Sequence, residues 1–192
     1  MPPRPYRGSG KTMKTRMLYG GLLAGALLAL ALAAYAANGS NAGTESKSQV
    51  QADTMTGYQE TPGVSSVAFG SFTAEIDDAT QTVTFELTYV GLEAPVLFAH
   101  VHFGNRNIAG GVSAFLCGAG SKPPCPQSGT VTGTIIAADV VGPANQGIEV
   151  GAMAELIRAM RAGETYANVH STKFPAGEIR AQINDKNQRQ PQ

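Results

Sequence analysis

Between residues 82 and 89 apolar and polar side chains alternate without a break: Val83, Phe85, Leu87 and Tyr89 on one side, Thr82, Thr84, Glu86 and Thr88 on the other. A period of two with one apolar side predicts an antiparallel strand that is packed on one face and wetted on the other. Residues 67–76 alternate as well, with Ala68, Gly70, Phe72, Ala74 and Ile76 on one side, and Asp77-Asp78-Ala79-Thr80 reads as the turn between the two strands. Residues 96–103 are apolar on both sides apart from His100 and His102, which suits an interior strand. Further strands are predicted at 52–58, 112–116, 130–137, 165–170 and 178–183.

The period changes once. Met153, Leu156, Ile157 and Met160 fall at i, i+3, i+4 and i+7, which predicts one amphipathic helix between residues 149 and 163. Arg158 and Arg161 lie in its last turn and Gly163 is its natural stop. Its methionines read as packing. Eight short strands with turn signals between them and one late helix predict an all-β fold, an antiparallel Greek-key β-sandwich with the helix covering an open end.

Composition agrees: Gly 23 and Pro 11 in 192 residues, 43% hydrophobic and 15% charged, enough for one sizeable core. The net charge of zero conceals an asymmetry. Arg4, Arg7, Lys11, Lys14 and Arg16 precede an uncharged run at 17–37, whereas residues 37–192 carry 9 Lys+Arg against 14 Asp+Glu, an acidic excess of 5. That excess argues against a nucleic-acid partner, because phosphate binding needs a basic face.

The basic segment, the apolar run and its Ala34-Tyr35-Ala36 end read as a signal peptide over residues 1–36, with Met13 a compact alternative start. An uncleaved membrane anchor is the rival reading, since about 20 apolar residues span a bilayer. Either places the domain outside the cytoplasm, in the periplasm, secreted or anchored facing outward, with membrane contact only through this segment. Residues 37–51 are small and polar, as in a flexible linker, and 185–192 form a polar tail, so the folded domain is expected over 52–184.

Cys117 and Cys125 bracket a nine-residue Gly/Pro-rich loop and form the one available pair. In an oxidising compartment a disulfide is expected, stabilising by about 2.5 kcal/mol through loop closure. The alternative, a two-thiolate metal site, has a spacing too wide for a C-x-x-C knuckle.

Four stretches in order, Gly57-Tyr58-Gln59-Glu60-Thr61-Pro62, Ala99-His100-Val101-His102-Phe103-Gly104, Ala162-Gly163-Glu164-Thr165-Tyr166-Ala167-Asn168-Val169-His170-Ser171 and Pro175-Ala176-Gly177-Glu178-Ile179-Arg180-Ala181-Gln182-Ile183, resemble the CHRD domain, named for chordin. Ser171 stands where the family often has Thr and Ala181 where it often has Gly. The resemblance implies an extracytoplasmic β-sandwich of the kind common in exported bacterial proteins, with no generally assigned activity. The cysteine-rich repeats that accompany the domain in chordin are missing from this sequence, so growth-factor binding is not carried over.

All three histidines fall in these stretches. His100 and His102, two apart on a strand, project from one face with Cα atoms roughly 7 Å apart. With His170 they are the candidate metal ligands, Glu178 being a fourth ligand or an outer partner, and copper or zinc the ions that imidazoles suit. The alternative is a structural network in which backbone and carboxylates satisfy the rings and Glu178 pairs with Arg180. Copper-zinc superoxide dismutase uses more histidines than this chain has, no G-x-S-x-G elbow is present, and Asp77-Asp78 reads as a turn. The expectation is a non-enzymatic exported or surface-anchored binding or structural module with an extracytoplasmic protein or surface partner, the alternative being a copper or zinc binder.

Overall fold

The computed structural model describes residues 47–183. The expected signal or anchor segment (1–36) and the polar tail (185–192) lie outside the described residues, as does most of the expected linker. Eight strands form among the described residues: β1 (Lys47–Thr56), β2 (Phe69–Asp77), β3 (Thr82–Val90), β4 (Val96–Phe103), β5 (Gly111–Cys117), β6 (Gly129–Ile135), β7 (Thr165–Ser171) and β8 (Ile179–Ile183). One α-helix, α1 (Met153–Arg161), stands between β6 and β7. No helix among the described residues is long and apolar enough to cross a membrane.

Every strand pair is antiparallel, and the order is β5-β4-β7-β8-β1-β2-β3-β6. The two outermost strands are consecutive in the chain, and two links tie them. Cys117 bonds to Cys125 with Cα atoms 5.0 Å apart, and Val140, just beyond β6, bridges Ala114 of β5. Across that closure β7 lies beside β4, followed by β5 and β6, which is the Greek-key arrangement.

The alternation at 67–76 and 82–89 does what it predicts. Gly70, Phe72, Ala74 and Ile76 of β2 and Val83, Phe85, Leu87 and Tyr89 of β3 are buried. They meet in register as Gly70↔Tyr89, Phe72↔Leu87, Ala74↔Phe85 and Ile76↔Val83. The turn between them is fastened by Asp77, whose Oδ1 accepts the amides of Ala79 (2.8 Å) and Thr80 (3.1 Å).

β1 starts at Lys47, so residues 47–51, expected as the end of a linker, are strand. They pair with β2 from Lys47↔Asp77 to Gln51↔Thr73, and Lys47 Nζ reaches Glu75 Oε1 at 2.6 Å. Only Val50 among these five is fully buried. The segment is polar because most of its side chains face water, and its backbone is held by the ladder.

The helix starts later than the periodic segment, at Met153, and buries Met153, Leu156, Ile157 and Met160. It ends in a Schellman motif: the Glu164 amide donates to Ala159 O (3.0 Å), the Gly163 amide to Met160 O (3.2 Å), and Gly163 sits at φ 75°. Arg161 pins this end to the sheet by donating to both Asp78 carboxylate oxygens (3.0 and 2.8 Å) and to Ser48 Oγ.

On β4, β7 and β8 the odd-numbered residues, Ala99, Val101, Ala167, Val169, Ile179, Ala181 and Ile183, belong to the apolar core. The even-numbered His100, His102, Tyr166, Asn168, His170, Arg180 and Gln182 are also buried, and they carry polar groups. This second buried layer carries the candidate site.

Candidate metal centre

The register fixes which side chains meet. Across β4 and β7, Phe98 faces His170, His100 faces Asn168 and His102 faces Tyr166; across β7 and β8, Asn168 faces Arg180 and Tyr166 faces Gln182. All are even positions, so the pleat sends them to the same side. Their cover comes from the loops before β2, β5 and β8, which supply Glu60, Gly110 and Pro175.

The three histidines come together. Ring centroids lie 4.3 Å (His100–His102), 4.4 Å (His100–His170) and 6.3 Å (His102–His170) apart. One nitrogen of each falls within 4.8 Å of the others, and the residues are 3, 9 and 5% exposed. An ion at 2.0–2.1 Å from each nitrogen would hold them roughly 3.3–3.6 Å apart, so closure needs a contraction of about 1 Å, within reach of small ring rotations.

The outer faces of two rings are anchored. His102 Nδ1 lies 2.8 Å from Gly110 O and His170 Nδ1 lies 3.0 Å from Pro175 O. A carbonyl only accepts, so each Nδ1 carries the proton and each Nε2 keeps its lone pair. This is how outer-shell carbonyls prepare ligating imidazoles. His102 Nε2 and His100 Nδ1 are buried with no hydrogen-bond partner among the described residues. Orphaned buried polar atoms of this kind are uncommon in native folds and ask for an explanation.

The rings are held without charge. Burial, with His102 and His170 close by, drives His100 down to about 2. Burial takes His170 to about 4 against the pull of the Pro175 carbonyl, and it lowers His102 too. Neutral imidazole is the form that ligates.

Aromatic rings line the cluster. Phe98 lies 4.7 Å from His170 and 5.3 Å from His100, and Phe115 of β5 lies 5.4 Å from His100. His102 stacks on Tyr166 at 4.6 Å with planes 7° apart, and the guanidinium of Arg180 lies 3.4 Å from the Tyr166 centroid. Gly110 joins His102 to Tyr166, its amide donating to Tyr166 Oη (3.0 Å) while its carbonyl accepts from His102.

Glu178 departs from expectation. It is fully buried, but its Oε1 accepts from Ser66 Oγ (2.8 Å) and from the Glu93 amide (2.9 Å), and it is not part of the histidine group. The expected Glu178–Arg180 ion pair does not form either. Glu178 precedes β8 and turns to the loop before β2, while Arg180 donates to the carbonyls of Ile108 (2.9 Å) and Asn105 (3.0 Å).

The carboxylate that does face the site is Glu60, in the family stretch 57–62. Its Oε1 accepts from Asn168 Nδ2 at 3.0 Å, and the same amide touches His170 Nε2 through Oδ1. Burial pushes the Glu60 carboxyl up to about 7, against the Asn168 amide and the Arg180 charge. Gly177 makes the approach possible, since a Cβ there would lie 2.4 Å from Asn168 Nδ2 and 2.6 Å from Glu60 Oε1. Tyr166 and Asn168 carried a legible signal, the alternation with His170 on β7. Glu60 carried only its place in the first family stretch and no local periodicity, because a tertiary fold brings it there.

A family model, the CHRD domain, matches residues 52–183, nearly the whole of the described sheet. The chain belongs to the CHRD family. No curated protein and no solved structure matches it. The CHRD match covers every residue of the histidine layer, from Glu60 to Gln182.

Proposed function

We propose that this CHRD domain is an exported, non-catalytic module that holds a transition-metal ion, copper or zinc, at His100, His102 and His170. The observation that carries the reading is the pair of buried, unpartnered imidazole nitrogens, His100 Nδ1 and His102 Nε2, within a three-histidine group in which backbone carbonyls set the outer nitrogens of His102 and His170. Lone pairs that converge without a donor are satisfied by a cation. Burial of all three rings beside Phe98 and Phe115 suits retention of an ion better than turnover of a substrate, which supports a binding role. The Cys117–Cys125 disulfide fits an oxidising compartment, in line with the basic and apolar N-terminal segment. A protein or surface partner outside the cytoplasm belongs to the same proposal.

Metal content decides it. The domain, purified without a histidine tag, is reloaded with Cu and Zn and analysed by inductively coupled plasma mass spectrometry beside a His100→Ala/His102→Ala variant. About one ion per chain is expected, absent from the variant. A wild-type domain that stays metal-free would leave the histidines as packing residues and the module as a purely structural or protein-binding one.

A further inference from the structure

Glu60, Asn168 and His170 form a chain of contacts that lacks a proton. His170 Nδ1 donates to Pro175 O, so in the neutral ring Nε2 is an acceptor. Asn168 spends its Nδ2 on Glu60 Oε1, and this turns Oδ1 onto His170 Nε2. Two acceptors then meet where Asn168 is 2% and His170 5% exposed, an arrangement that water cannot relieve. Two remedies exist. With the amide turned over, its NH2 satisfies His170 Nε2 and its oxygen faces Glu60, which must then be protonated to donate. With the amide as it stands, Glu60 is ionised and the acceptors need a cation between them, a proton on His170 Nε2 or a metal ion at the histidines.

We propose that Glu60, acting through the amide of Asn168, is the counter-charge of the histidine site, and that a metal ion taking its place there expels the proton of Glu60. The inference rests on the reading of the cluster as a metal site. The balance is one dication bound, one carboxyl ionised and one proton released to solvent. Charge gives the same answer. Arg180 is the buried cation of this layer and stays bound to Asn105 and Ile108, so an entering dication adds to an existing positive charge. Glu178 is turned away, which leaves Glu60 as the carboxylate that faces the layer. The other titratable groups around Glu60 are Arg180, whose charge acts on it, and Tyr166, which feels the Glu60 charge, and beyond Asn168 the histidines themselves. The Nδ1 protons of His102 and His170 are held by the carbonyls of Gly110 and Pro175, so the proton that an entering ion displaces is that of Glu60, which titrates at about 7.

The test is calorimetric titration of Zn2+ into the folded protein at pH ~6 in two buffers of different ionisation enthalpy, which counts protons released per ion bound. Wild type should release close to one, with affinity rising roughly tenfold per pH unit below ~7. Glu60→Gln should bind with almost no proton release and a flat pH dependence, and Glu60→Asp, which keeps the carboxyl, should restore both. Equal release by wild type and Glu60→Gln, or binding by wild type without release, would overturn the proposal while leaving the metal site standing. No binding by wild type would sink both. Should Glu60→Gln fail to fold, the wild-type proton count and pH slope, with Glu60→Asp, still decide.

Discussion

Three neutral imidazoles and one carboxyl pushed up to about 7 in a single buried layer give the metal-free domain a characteristic pH response. The histidines titrate below their ordinary 6.5 in the folded state, so as pH falls from about 6.5 to 4 the unfolded chain takes up protons that the folded one refuses. Their contribution is intact above 6.5 and is lost on acidification. Glu60 acts in the opposite sense, because its folded value of about 7 lies above 4.5, so its contribution is present below 4.5 and fades as pH rises through 7. Three groups outweigh one, and the stability of the apo domain should rise from pH 4 to 6.5. Urea midpoints across that range should show the slope, nearly absent in His100→Ala/His102→Ala and steeper in Glu60→Gln; a flat wild-type profile would mean the rings are not held neutral. At this scale the histidines were legible because strand alternation places His100 and His102 on one face, and the family stretches add His170. Glu178 misled because it was expected inside the last strand, 178–183, near Arg180, although the strand begins only at Ile179.

Secondary structure was legible wherever one face is apolar. β2, β3 and α1 follow from periods of 2 and 3.6 because burial on one side selects the side chains. β1 was legible only in part. In Lys47-Ser48-Gln49-Val50-Gln51 a single side chain packs into the core, so the polarity resembled a linker while the ladder to β2 made it strand. β1 lies between β8 and β2 in the strand order but meets β8 only at Thr56↔Arg180, so its first half is held by the ladder to β2 alone. Deleting the chain up to residue 51 should therefore cost stability, about 2–4 kcal/mol from lost ladder hydrogen bonds and the burial of Val50. Deletion only up to residue 46 leaves the strand whole, and the comparison by chemical denaturation separates strand from linker. Equal stability of the two truncations would return residues 47–51 to the linker.

At the scale of the whole molecule, fold class could be read from the number of strands and turns, but the way the sheet closes could not, since β3–β6, β4–β7 and β8–β1 are non-local pairings that no local pattern encodes. The closure depends on one covalent link. Cys117 is the last residue of β5 and fully buried, and Cys125 lies in the loop that leads to β6, so the disulfide joins the two ends of the strand order. The loop is further fastened by the Gly118 amide on Pro123 O (2.7 Å) and by Tyr89 Oη of β3 on Pro126 O (2.7 Å). Loop-closure entropy for nine residues predicts that Cys117→Ala/Cys125→Ala lowers stability by about 2.5 kcal/mol, read from the denaturation midpoint at unchanged slope. The site should feel the same change. Phe115 stands two residues before Cys117 and packs against His100, so freeing this end of β5 loosens the aromatic wall of the histidine layer. The expected signature is a faster loss of bound zinc to a chelator in the double variant, by several-fold, under conditions where it remains folded. A stability loss with unaltered zinc release would show that the disulfide closes the sheet and nothing more.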